Sequence, residues 1–131
     1  MHPFEQTPVI LVIADVEETR IGIEKLLTAD RYSVLAVRGP ADLAHLSRDI
    51  SPDLVLMTLS TSKTELVTIA HQTRKALQLS DNVPVVLFAV TNLEEGSEIK
   101  IEPNIYLTHP DNFNQLRRLI NRLVRRPEGI H

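Results

Sequence analysis

Five apolar runs, each only long enough for a strand, constrain this chain most: Val9–Ala14 (VILVIA), Val34–Val37 (VLAV), Leu54–Leu59 (LVLMTL), Val83–Val90 (VPVVLFAV) and Ile105–Leu107 (IYL). They are rich in Val, Ile and Leu and lack the polar alternation of a half-solvated strand, so each is expected to be covered on both faces. Such strands need helices above and below, and the segments between them have helical spacing. Ile23, Leu26 and Leu27 form one face, and Leu43, Leu46 and Ile50 another. Leu66, Ile69, Ala70, Thr73, Ala76 and Leu77 form a third stripe, and Phe113, Leu116, Leu119, Ile120, Leu123 and Val124 a fourth. Pro40 suits a first helical turn, Ser62 or Thr61 a cap for the third helix and Asp111 a cap for the last. Asp15 and Glu18 have the spacing of a capping box opening the first helix. The alternation predicts one three-layer α/β domain, a five-stranded parallel sheet with helices on both faces.

One segment breaks the alternation. Residues 91–104 (TNLEEGSEIKIEPN) contain Gly96 and Pro103 and too few apolar positions for a helical stripe. The fourth helix is therefore expected to be short or missing, and Glu98-Ile99-Lys100-Ile101-Glu102 reads as extended.

The 131 residues suit a single domain over 1–126, with 127–131, containing Pro127 and Gly129, read as a flexible tail or the start of a linker. The absence of cysteine removes disulfides, thiolate catalysis and cysteine-ligated metal centres. A formal charge of -3 argues against a chain held on nucleic acid by charge alone. No basic segment precedes Val9–Ala14 and no apolar stretch approaches the ~20 residues that span a bilayer, so neither a signal peptide nor a membrane partner is expected and a cytoplasmic location is.

Chemistry in an open parallel sheet collects at the carboxyl ends of the strands. Here those ends carry Ala14-Asp15, Thr58-Leu59-Ser60, Ala89-Val90-Thr91 and Thr108-His109-Pro110. The four glycines are scattered, so no dinucleotide fingerprint or Walker A loop can be written. A flavin phosphate would meet repulsion from Asp15, Glu17 and Glu18.

With these residues in view, nearly the whole chain resembles the CheY-like receiver domains of response regulators, from VILVIAD through YSVLAV, SPDLVLM, VPVVLFAV and IYLTHP to the closing amphipathic helix. PDLVLM and YLTHP are its most specific pieces. The resemblance implies a flavodoxin-like fold, with its five parallel strands in the order 2-1-3-4-5, in two-component or phosphorelay signalling, with a phosphoryl group passed to an aspartate in the presence of magnesium. Position by position, it places the family's acidic pair on Ala14 and Asp15, the phosphoacceptor on Thr58, the switch hydroxyl on Ala89 and the lysine on His109, with the proline kept as Pro110. Only one acid of the set remains. The expectation is a pseudo-receiver, not an enzyme, with no cofactor. Asp15 is the one weak candidate for a metal, because magnesium demands several hard oxygen ligands.

The family's use of its last helix and strand as a contact surface makes Arg117, Arg118, Arg122 and Tyr106 the candidate interface, for a signalling protein or a second copy of the chain. Arg125 and Arg126 fit a solvated helix end instead. Glu94, Glu95, Glu98 and Glu102 crowd the segment before the last strand, and opposite charges on neighbouring parts suit recognition. The alternatives are a small-ligand sensor built on Asp15, Thr58 and His109, a regulator that still responds to phosphate, and a nucleic-acid contact through the arginine helix, which the low aromatic content disfavours. His45 and His71 receive no role.

Overall fold

The computed structural model describes residues 7–45, 51–88, 97–109 and 113–124. Their order is β1 (Val9–Ala14), α1 (Glu17–Ala29), β2 (Ser33–Val37), a 3-10 helix (Pro40–His45), β3 (Leu54–Thr58), α2 (Lys63–Ala76), β4 (Val85–Phe88), β5 (Ser97–Glu102), β6 (Ile105–His109) and α3 (Phe113–Val124). The sheet has six strands in the order β2-β1-β3-β4-β6-β5. All pairings are parallel except that of β5 with β6.

The strand count and order thus differ from the five expected, and the difference lies in β5. Glu98–Glu102 is extended, as its alternation suggests, but it forms a full sheet strand by folding back along β6. Two turn residues account for this. Pro103 presets its own φ and Asn104 takes φ 62, the residue pattern of a type II turn between Glu102 and Ile105. Residues 89–96, where the fourth helix would begin, lie outside the described residues, as do Leu46 and Ile50. The second predicted helix is represented by the 3-10 helix, from which Leu43 is buried.

The strands are apolar on both sides because two cores use them. On one face Ile10, Val12, Ala14, Leu54, Leu56 and Val86 meet Ile23 and Leu27 of α1 and Leu116, Leu119 and Ile120 of α3. On the other, Leu11, Ile13, Val55, Met57, Val85, Leu87, Ile105 and Leu107 meet Leu66 and Ala70 of α2 and Leu43. Residues Ile10 through Ala14 have no accessible surface at all. The predicted helical stripes supply these contacts, except that Leu26 is half-buried and in neither core, Ala76 is exposed, and Leu46, Ile50 and the Phe113 side chain lie outside the described residues.

The helix ends are closed by backbone bonds. In α1 the N–H of Tyr32 donates to Leu27 O at 3.1 Å and that of Arg31 to Thr28 O at 2.9 Å. In α2 Leu79 N donates to Arg74 O at 2.9 Å and Gln78 N to Lys75 O at 3.2 Å. Both are Schellman motifs, yet their left-handed positions hold Arg31 (φ 74) and Gln78 (φ 54) in place of glycine. At its start α2 is capped as expected by Ser62, whose Oγ accepts from Glu65 N at 3.1 Å. The capping box proposed for α1 is not formed: Val16 occupies the cap without a side-chain bond, and Asp15 is engaged elsewhere.

Two stability outcomes follow. Replacing Gln78 with glycine removes the left-handed penalty on a side chain and is expected to raise unfolding free energy by about 0.5–1 kcal/mol in urea titration; a loss would show that the Gln78 side chain has a role of its own. Thr73 is 1% exposed and its hydroxyl has no hydrogen-bond partner. The near-isosteric Thr73→Val is expected to stabilise by about 1 kcal/mol, since it removes a buried unpaired polar group; a destabilised variant would refute that account.

Candidate functional site

β1 and β3 are neighbours, and their register pairs Ala14 with Thr58, so the two strands end at the same level. The residues that follow are thereby brought together. The Asp15 carboxylate accepts the Ser60 backbone N–H at 2.9 Å and the Ser60 hydroxyl at 3.3 Å. Arg20, one turn into α1, donates from Nη1 to the Ala14 carbonyl at 2.9 Å. The loops after β1 and β3 are thus latched to each other and to α1.

The three hydroxyls of the loop after β3 are all engaged. Ser60 binds Asp15, Thr61 donates to the Glu65 carboxylate, and Ser62 caps α2. A further backbone bond from Thr61 N to Leu59 O at 2.8 Å tightens the turn. Thr58 is half-buried at the end of β3. A threonine hydroxyl needs a base to become a nucleophile, and the Asp15 carboxylate, which follows the partner strand, accepts two hydrogen bonds from Ser60. Among the described residues no group of three His, Asp or Glu side chains is placed to hold a metal ion.

The structure therefore brings together Ala14, Asp15 and Thr58 and adds Ser60, whose carboxylate-holding role the sequence reading missed; the signal was the run Ser60-Thr61-Ser62, three hydroxyls immediately after a buried strand. His109 ends β6, and its side chain, like Ala89 and Pro110 entirely, lies outside the described residues.

The candidate interface divides. Arg117 reaches across to the end of α1: its Nε donates to Asp30 Oδ2 at 2.8 Å and its Nη2 to Asp30 Oδ1 at 2.6 Å, a two-pronged pair with the residue that caps the C-terminus of α1. Nη1 also reaches Asn114 Oδ1 at 3.0 Å. The hydrogen bond to Asp30, and then its negative charge, hold the Arg117 guanidinium above its ordinary pKa. Four residues further along α3, Asn121 accepts the hydroxyl of the buried Tyr32. These bonds tie α3 to the end of α1, so Arg117 is a brace within the fold. Arg118 and Arg122 are exposed and Tyr106 is half-buried on β6. Arg125, Arg126, Glu94 and Glu95 lie outside the described residues.

His71, unassigned from sequence, lies with Nε2 3.2 Å from each carboxylate oxygen of Glu102, linking α2 to β5. Among the described residues no helix is long and apolar enough to cross a membrane. No protein-family model matches the chain, and no curated protein sequence matches it.

The division of the arginines is measurable. Arg117→Met is expected to lower the melting temperature, and to lower it much less in an Asp30→Asn background, because the two side chains act as one unit. Arg118→Met should leave melting unchanged. Equal effects of the two substitutions would remove the distinction between brace and surface.

Proposed function

We propose that this chain is a receiver-like signalling domain that works as a protein–protein interaction module independently of aspartyl phosphorylation. One observation supports the proposal: β3 ends on Thr58, where the receiver resemblance would put an aspartyl phosphoacceptor, and the carboxylate that follows β1 bonds Ser60. Forming an acyl phosphate requires a carboxylate oxygen that attacks phosphorus, with the histidine donor leaving. A hydroxyl held at the end of a buried strand offers no such oxygen.

The parallel part of the sheet, β2-β1-β3-β4-β6, supports a flavodoxin-like reading of the fold, and β5 is this chain's departure from it. The chain motifs PDLVLM and YLTHP support the receiver resemblance. A receiver that has lost its acceptor keeps its surfaces, and the exposed side of α3 with Arg118 and Arg122 is the surface this proposal assigns to a signalling partner. Charge there favours an acidic partner face.

Incubation with acetyl phosphate and magnesium, followed by intact-mass measurement, is expected to give no adduct, and beryllofluoride with magnesium is expected to leave the melting temperature unchanged. A stoichiometric phosphate adduct would overturn the proposal in favour of a regulator that still responds to phosphate.

A further inference from the structure

We infer that the outer edge of β2 is a self-association site, at which two copies of the chain pair antiparallel about Leu35 and join their sheets into one. The inference goes beyond the proposed function and does not rest on it: it stands on the hydrogen-bond ladder of the sheet and the residues of one strand. β2 is the terminal strand on its side of the sheet, and among the described residues no strand pairs with its outer edge. Exposed edges are commonly protected by charge, proline or a bulge. β2 reads Ser33-Val34-Leu35-Ala36-Val37, with neither a charge nor a proline, and its register with β1 runs unbroken from Val9 opposite Ser33 to Ile13 opposite Val37. Its apolar side chains are only half-buried, Val34 and Ala36 against one core and Leu35 and Val37 against the other.

The backbone of β2 shows which groups the edge offers. Ser33 N donates to Pro8 O at 2.9 Å, so Ser33 turns its polar groups toward β1. In a parallel ladder every second residue does the same, which gives β1 the N–H and C=O of Ser33, Leu35 and Val37 and turns those of Val34 and Ala36 outward. The alternation stops at both ends. Tyr32 N donates to Leu27 O at 3.1 Å, and Arg38 N donates to Asp42 Oδ2 at 3.1 Å. Val34 and Ala36 are therefore the residues whose N–H and C=O both remain for a partner strand.

That set is complementary to itself. In an antiparallel pair, two residues that face each other with their polar groups exchange both N–H···O bonds. A two-fold axis at Leu35 sets Val34 of each copy opposite Ala36 of the other, so every outward donor meets an outward acceptor. Leu35 then meets its own counterpart as the closer, non-hydrogen-bonded pair, an apolar contact across the axis. Other centres fail. An axis at Val34 sets Ala36 opposite Tyr32, and an axis at Ala36 sets Val34 opposite Arg38, whose N–H groups are both engaged within the chain. In the Leu35 register Ser33 faces Val37 and Tyr32 faces Arg38, so no like charges oppose each other. The match of the edge to itself is what identifies a second copy as the occupant. A contact of this length is at the small end of specific interfaces, so the association is expected to be reversible.

Sedimentation equilibrium of the full chain across a wide concentration range, with amide hydrogen exchange read residue by residue, tests the inference. The wild type should show a monomer–dimer equilibrium. The Val34 and Ala36 amides should exchange fast when dilute and become protected as the dimer forms, while Leu35, bonded to β1 throughout, stays protected at every concentration. Ala36→Pro deletes an outward N–H and no bond to β1, and should shift the chain to monomer while circular dichroism shows it folded. Leu35→Glu and Leu35→Lys should each be monomeric alone and should associate when mixed, because the axis then sets opposite charges together; this arm stands even where the proline variant does not fold. A dimer whose Val34 and Ala36 amides stay unprotected, a dimer that survives in folded Ala36→Pro, or folded Leu35→Glu and Leu35→Lys chains that do not associate when mixed would each overturn it. A wild type that stays monomeric throughout, as when the edge serves a strand of another protein, would overturn it too.

Discussion

Strand β1 is the member on which the rest of the molecule depends. It lies between β2 and β3, so its backbone is paired on both edges, and Ile10 through Ala14 are fully enclosed by helices on both faces. A strand in that position has no solvent-facing side, which is why VILVIA shows no polar alternation. Asp53 secures its entrance, accepting Val9 N at 2.8 Å while its own N–H donates to Val9 O at 2.7 Å. With both edges and both faces committed, the exit of β1 cannot shift relative to β3, and Asp15 and Ser60 meet because of it.

Polar bonds then do what the apolar cores cannot, which is to fix elements in one orientation. Burial is non-directional, and an amphipathic helix such as α3 would bury its stripe nearly as well after a small slide or rotation. The pair of Arg117 with Asp30 and the bond from Tyr32 to Asn121 remove that freedom by joining two successive turns of α3 to the end of α1. On the other side of the sheet, Arg74 and Asn104 tie the end of α2, the start of β4 and the turn after β5 into one corner.

The loop at the candidate site is held by its own polar groups. Three hydroxyls and a carboxylate meet at a strand end, a combination that elsewhere would suggest catalysis. Here each hydroxyl is bonded to a carboxylate or a helix N–H, and the carboxylate to a hydroxyl and a backbone N–H. Groups that bond one another in this way hold a loop in place.

The amino-acid sequence by itself determined the class of fold, the positions of the strands and the helical stripes, because those follow from the period of apolar residues along the chain, which is local information. It also carried the extended character of Glu98–Glu102. It did not decide that this stretch would pair with β6, since pairing depends on the turn at Pro103-Asn104 and on an available edge in space. Nor could it separate the capping role of Asp15 from its bond to Ser60, 45 residues away, or the surface role of Arg117 from its pair with Asp30, 87 residues away. Side-chain partners at such separations are set by which strands lie side by side and which helix lies over them, and that only the tertiary structure decided.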